Sequence, residues 1–327
     1  MNNKTLRELA NKRKIYIGAA VNPKLLETDR QYSGLLEKEF NMITPENAMK
    51  FWAVHPSEKK YTFKNADVLV RFTQKNQMQI RGHTLVWHKS IPDWVKTIHD
   101  EKKIKNIFEE HIREVAGHFK EKLYCWDVVN EAFADNGKLD KNSFWLNKLG
   151  PKHIELAFRI AHEVDQNSKL FYNEWGIEVI NQKSNAVYEM VRDFTNQGVP
   201  IHGIGFQMHV GLGKNQMAED VPEPGKLAIN LKRFSDLGLE VHITEMDVQI
   251  QGLLGTQEER LCAQARVYRK ILETCLHIPN FRALIQWGVT DKFSWIPSLA
   301  GKPDAPLIFD ENYSPKPAYY ALIEALA

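Results

Sequence analysis

Charge of either sign is not in excess in this 327-residue chain, with 43 Lys and Arg against 41 Asp and Glu and a formal net charge of +2. Nothing in that balance marks the protein for nucleic acid or anionic lipid. Cysteine is scarce, and Cys125, Cys262 and Cys275 stand too far apart for a disulfide framework or a Cys-x-x-Cys metal site. Buried or idle thiols in a reducing compartment are the plainer expectation. No stretch has the apolar length to span a bilayer, and Met1-Asn2-Asn3-Lys4-Thr5-Leu6-Arg7-Glu8 lacks the apolar core of a signal peptide. Those absences predict a cytoplasmic protein with no membrane partner. The basic run Lys12-Arg13-Lys14 reads as a solvated helix end. Linkers rich in Pro, Gly or Ser, low-complexity runs and internal repeats are also missing, so a single domain over residues 1–327 is expected.

What is present is a globular composition, 43% hydrophobic and 26% charged, with β-branched and aromatic runs bounded by turn residues. These give eight strand candidates: Ile15–Val21, Met42–Pro45, Gln79–Trp87, Tyr124–Asn130, Leu170–Asn173, Ile201–Val210, Glu240–Val248 and Arg282–Val289. They recur about every 38 residues, the spacing of strand-plus-helix units. Amphipathic helical patterns lie between them, for example over 154–161 and 262–272. Eight such units predict an α/β fold of the single (β/α)8 TIM barrel type, with functional groups at the C-terminal strand ends. A doubly wound open sheet would instead announce a glycine-rich phosphate loop after its first strand, and Gly18-Ala19-Ala20-Val21-Asn22-Pro23 is a turn of another kind.

Polar and aromatic residues crowd the predicted strand ends. Glu46, Asn47 and Lys50 follow the second strand; His83, Trp87 and His88 end the third. Asn130 and Glu131 end the fourth, Tyr172, Asn173 and Glu174 the fifth, and Gln207 and His209 the sixth. Glu245 and Asp247 close the seventh, and Trp287, Asp291 and Trp295 lie at and beyond the eighth. A single strand-end glutamate is as readily a salt-bridge partner as a catalyst. Glu131 and Glu245 together supply what glycoside hydrolysis requires, one carboxyl protonated toward the leaving oxygen and one ionised toward the sugar. The hydrogen-bonding groups Asn130, beside Glu131, and His209 with Asp247, around Glu245, are predicted to keep Glu245 ionised, and aromatic walls to raise the pKa of Glu131.

Five stretches carry a family resemblance: Thr-Pro-Glu-Asn-Ala-Met-Lys at 44–50, Gly-His-Thr-Leu-Val-Trp-His at 82–88, Trp-Asp-Val-Val-Asn-Glu-Ala at 126–132, His-Ile-Thr-Glu-Met-Asp at 242–247 and Trp-Gly-Val-Thr-Asp-Lys-Phe-Ser-Trp at 287–295. In order and spacing the chain resembles the family-ten glycoside hydrolases, the endo-1,4-β-xylanases. The resemblance implies Glu131 as general acid/base and Glu245 as nucleophile of a retaining mechanism. It implies Asn130 at the sugar 2-hydroxyl, with His83, Gln207 and His209 around that sugar. Glu46, Asn47 and Lys50 would bind the next sugar on the non-reducing side, between walls of Trp87, Trp287 and Trp295. Tyr172 and Asn173 would lie toward the leaving group, and Asp247 would join His209 in a network behind Glu245. Phe293 departs from the expected tyrosine of the last motif.

A metal-dependent hydrolase is the first competing reading. No His-x-His occurs, and His83 and His88 would face opposite sides of a regular strand, so neither a metal nor another cofactor is implied. A non-catalytic sugar-binding protein would not need two carboxylates with complementary neighbours, whereas a β-glucanase or mannanase on the same barrel stays open. Trp126 and Trp145 are expected in the core, and Glu174 and Asp291 as salt-bridge or supporting groups. The expected partners are xylan fragments and xylo-oligosaccharides, with no nucleic acid; oligomeric state is open.

Overall fold

A computed structural model describes residues 4–213 and 219–327. Strands covered on both faces read as apolar runs rather than as alternations, and the sequence runs at Met42–Pro45 and Cys125–Asn130 are buried at every position. The barrel strands are β1 (Tyr16–Val21), β2 (Met42–Pro45), β3 (Gln79–Trp87), β4 (Cys125–Asn130), β5 (Lys169–Glu174) and β6 (Gly203–Phe206). The short strands β7 (His209–Gly213) and β8 (Glu219–Asp220) come next, then β9 (Glu240–Gly252) and β10 (Phe281–Gln286). Parallel pairing runs β10-β1-β2-β3-β4-β5-β6-β9, and β9 pairs with β10 to close the ring. This is the expected (β/α)8 barrel, in which every strand end opens on one shared mouth.

Helices cover the outside. Asp100 caps Glu101–His118 by accepting from the Lys102 and Lys103 amides, and a capping box of Thr256 and Glu259 opens Gln257–Leu276. Each turns an apolar stripe inward, with Ile104, Ile107, Phe108 and Ile112 buried in the first and Val267, Tyr268, Ile271 and Leu272 in the second. Trp126 and Trp145 are core residues as expected, and Lys12 and Arg13 form the end of the helix Leu6–Arg13. No helix among the described residues is long and apolar enough to cross a membrane.

The sixth predicted strand, 201–210, is two strands. Met208 adopts φ 66°, in the left-handed region, and breaks the run after Gln207. His209–Gly213 then leaves the barrel and pairs with the outer half of the long β9, with β8 on its far side. The break leaves Gln207 on the barrel mouth and swings His209 over β9, where Glu245 and Asp247 lie.

Candidate active site

Glu131 follows the last residue of β4 with φ 54°, a conformation that costs a non-glycine residue about 1–3 kcal/mol. Its amide donates to the Asn173 carbonyl at 3.0 Å, which holds the turn in place. The carboxylate Oε2 accepts from Trp87 Nε1 at 3.1 Å and from Lys89 Nζ at 2.8 Å, and Oε1 from Gln207 Nε2 at 3.0 Å. Burial pushes its pKa up, but the Lys89 charge and these three donors outweigh burial and bring it down to about 2. The expectation of a raised pKa is therefore corrected for the substrate-free enzyme. The aromatic wall brings a donor, the Trp87 N–H, and a lysine stands beside it.

Glu245 sits within β9, anchored from below and behind. Asn173 Nδ2 donates to its Oε1 at 2.8 Å, and His209 Nε2 lies 3.3 Å from its Oε2. His209 Nδ1 is 2.8 Å from Asp247 Oδ2, which also accepts from Trp295 Nε1 at 3.0 Å. Residues 245 and 247 share one strand face by the period of two, so a single imidazole spans both. Burial pushes the His209 pKa down, but Asp247 and Glu245 dominate and hold it well above the usual histidine range. Asn173 is fixed in turn by Thr244 Oγ1, which donates to its Oδ1 at 2.7 Å. A β-carbon on Gly205 would collide with that same Asn173 oxygen, so the neighbouring strand needs glycine there. Asn173 Nδ2 and Gln207 Nε2 both reach Asn130 Oδ1, at 2.8 and 3.3 Å, and so tie the two carboxylates into one amide network.

Both carboxylates line a cavity of about 640 Å³ together with Lys50, His83, Trp87, Asn130, Gln207, His209, Trp287 and Trp295. Lys50 Nζ stands 4.9 Å from the Trp87 ring centre and 6.0 Å from that of Trp287, and His83 meets Trp287 edge-on at 5.3 Å. Glu46 and Asn47 line an adjoining pocket of about 150 Å³, joined to the main cleft by the 2.8 Å bond from Lys50 Nζ to Asn47 Oδ1. Burial raises the Glu46 pKa and lowers that of Lys50.

Besides Glu46 and Asn47 in the adjoining pocket, two more of the expected residues do not line the cleft. Tyr172 and Asn173 are both fully buried beneath it. The Tyr172 hydroxyl donates to Glu174 Oε2 at 2.6 Å and accepts from the Ala132 amide at 3.0 Å, bracing the turn that carries Glu131. Trp175 lines the cleft instead, its ring centre 3.7 Å from Lys183 Nζ, with Gly176 and Glu219 also in the lining. Trp175, Gly176, Lys89 and Glu219 are the cleft residues that sequence reasoning missed. An aromatic two residues past Asn173 and a lysine two past Trp87 were the available signals.

The other polar residues around the cleft have structural partners. Asp127 under the cleft accepts from Arg81 Nε at 2.9 Å and lies 3.0 Å from His83 Nδ1, which fixes that ring. Glu174 pairs with Lys183 at 3.0 Å, and burial pushes its pKa up to about 7. Asp291 pairs with Lys316 at 2.8 Å, and Phe293 packs edge-on against Tyr32, 6.0 Å between ring centres. Among the described residues no His, Cys, Asp or Glu group forms a metal cluster.

Residues 5–325 match the family model described as Glycosyl hydrolase family 10. The chain is 42% identical over 327 residues to the endo-1,4-beta-xylanase B of Thermotoga neapolitana, covering 98% of this chain and 91% of that protein. It superimposes on xylanase 10B of Thermotoga petrophila, solved in complex with xylobiose, with a TM-score of 0.93, 43% identity and coverage of 100% and 98% of the two chains. The intracellular xylanase of Thermoanaerobacterium saccharolyticum matches with a TM-score of 0.87, 36% identity and coverage of 98% and 99%.

Proposed function

The chain belongs to glycosyl hydrolase family 10, and on that premise we propose the division of labour by which its cleft breaks a xylosidic bond. The protein is an endo-1,4-β-xylanase that hydrolyses internal β-1,4-xylosidic bonds with retention of configuration. In the proposed cycle Glu245 attacks the anomeric carbon while Glu131 gives its proton to the departing oxygen, leaving a covalent xylosyl-enzyme. Glu131, now a carboxylate, takes a proton from water, whose oxygen displaces Glu245 and restores the starting state.

The single observation that supports this reading most is the unequal surroundings of the two glutamates. Glu245 is locked by Asn173 and by the His209 ring that it shares with Asp247, while Glu131 meets a half-exposed Lys89. Asn130 is assigned to the sugar 2-hydroxyl beside Glu245. Glu46, Asn47 and Lys50 take the next sugar on the non-reducing side, and Trp87, Trp287 and Trp295 supply faces for apolar sugar surfaces. Tyr172 and Asn173 act from below as supports rather than as sugar contacts. The chain is proposed to work as one catalytic domain without a cofactor.

The natural substrate is proposed to be imported xylo-oligosaccharides cleaved in the cytoplasm. Three unpaired cysteines, Cys125, Cys262 and Cys275, support a reducing compartment, and so does the likeness to an intracellular xylanase. Time courses on xylobiose through xylohexaose and on polymeric xylan test this. Catalytic efficiency that is higher on short oligosaccharides than on polymer, with β-configured fresh product by NMR, is expected. A preference for polymer would overturn the substrate assignment, and an α-configured product the mechanism.

A further inference from the structure

The acid in the proposed cycle must enter the first step protonated, yet the free enzyme surrounds Glu131 with donors. Gln207 occupies Oε1, while Trp87 and Lys89 share Oε2. A leaving oxygen has to come within about 2.6–3.2 Å of one of these carboxyl oxygens, so something must move. Trp87 and Gln207 are held in the cleft wall. Lys89 is different: its side chain is 55% exposed, against 10% for Glu131, and it stands on a flexible four-carbon stem at the rim. An ion pair with one half-exposed partner opens at little cost.

We propose that Lys89 is a positioning residue which the leaving-group part of the substrate displaces from Glu131, so that occupation of that side of the cleft sets when Glu131 carries its proton. The inference rests on Glu131 being the acid/base. With Lys89 moved away, Glu131 loses its nearest positive charge and takes up the proton it donates. Once the leaving group departs, Lys89 returns and stabilises the carboxylate, the form needed to take a proton from water. One side chain thus serves both half-reactions.

The other charged or titratable groups around Glu131 are less suited to this exchange. His88, beside Lys89, has its pKa pushed down by burial, as does Lys50 from the loop after β2. Tyr172 and Glu174 of β5 are buried under the site, the first with its pKa raised well above the usual tyrosine value. Glu245 lies across the amide network.

The test is the pH profiles of kcat/KM and of kcat on xylotetraose for the parent enzyme, Lys89→Met, Lys89→Arg and Glu131→Gln. Lys89→Met is expected to move the basic limb of kcat/KM, which reports the free enzyme, upward by about 1–3 pH units, and Lys89→Arg to keep it near the parent position. The basic limb of kcat, which reports the substrate complex, should be the same in Lys89→Met and parent because substrate has already displaced the lysine there. A kcat limb that also moves up overturns the displacement. A merely structural role would lower the rate without moving either limb. Superimposable kcat/KM limbs for Lys89→Met and parent overturn the inference, and Lys89→Gln repeats the measurement should the Met variant fold poorly. If Glu131→Gln retains its activity on xylotetraose, it is the acid/base reading that fails. If Glu131→Gln collapses while Lys89→Met overlays the parent, only the role of Lys89 fails.

Discussion

The two glutamates of the cleft are held in opposite ways. Glu245 lies inside a strand, its oxygens facing a buried amide and an imidazole that Asp247 and Trp295 fix from behind. Glu131 lies one residue past a strand, in a left-handed turn, and one of its donors is a half-exposed lysine. A nucleophile needs one position and one ionisation state, so rigid partners serve it. An acid/base group changes protonation twice in each turnover, so at least one partner must be free to leave. The difference between a strand interior and a strand end gives each carboxylate the surroundings its task requires.

The harshest way to break this contrast is to remove the anchored member. Glu245→Ala is expected to lower kcat on every substrate by about 10⁴-fold or more, whatever the leaving group. Glu131→Ala should cost about 10²–10⁴-fold on xylo-oligosaccharides. Its rate of glycosylation by a dinitrophenyl xylobioside, measured in the pre-steady state, should fall far less, because that leaving group departs without a proton. Equal losses on both substrates would show that the two roles are misassigned.

Asn173→Ala sharpens the comparison while leaving both glutamates in the chain. It removes the amide beneath Glu245, and a lost buried hydrogen bond of about 1–3 kcal/mol corresponds to a fall in kcat of about 5–150-fold. That loss should be the same across leaving groups, and the basic limb of the kcat/KM profile should stay in place, in contrast to the effect expected from Lys89→Met. A leaving-group-dependent loss would mean that Asn173 acts on Glu131 through the Asn130 and Gln207 amides.

Most of the barrel was legible because its strands are covered on both faces and therefore read as uninterrupted apolar runs at regular intervals. β2 and β3 coincide with their predicted ranges. The sixth strand was misread because its apolar character continues through Met208, whose side chain is buried although its backbone turns away. Pattern reports burial, and there burial and strand direction part company.

The carboxylate pair and most of the cleft wall were legible for a related reason, since a barrel gathers its strand ends at one mouth. The direction in which individual strand-end side chains point was not. Tyr172 and Asn173 both look like cleft residues in sequence, but they brace the turn of Glu131 and the carboxylate of Glu245 from underneath. The lowered pKa of Glu131 was invisible because it depends on Lys89, whose ammonium reaches the carboxylate across 42 residues of chain. Composition counts a lysine without saying which charge it will meet.

The division of labour between the two glutamates is tested most directly by trapping the covalent intermediate. Incubation with 2,4-dinitrophenyl 2-deoxy-2-fluoro-xylobioside, followed by proteolysis and mass spectrometry, should place one fluoroxylobiosyl adduct per chain on Glu245. An adduct on Glu131, or inactivation without any labelled peptide, would contradict the account.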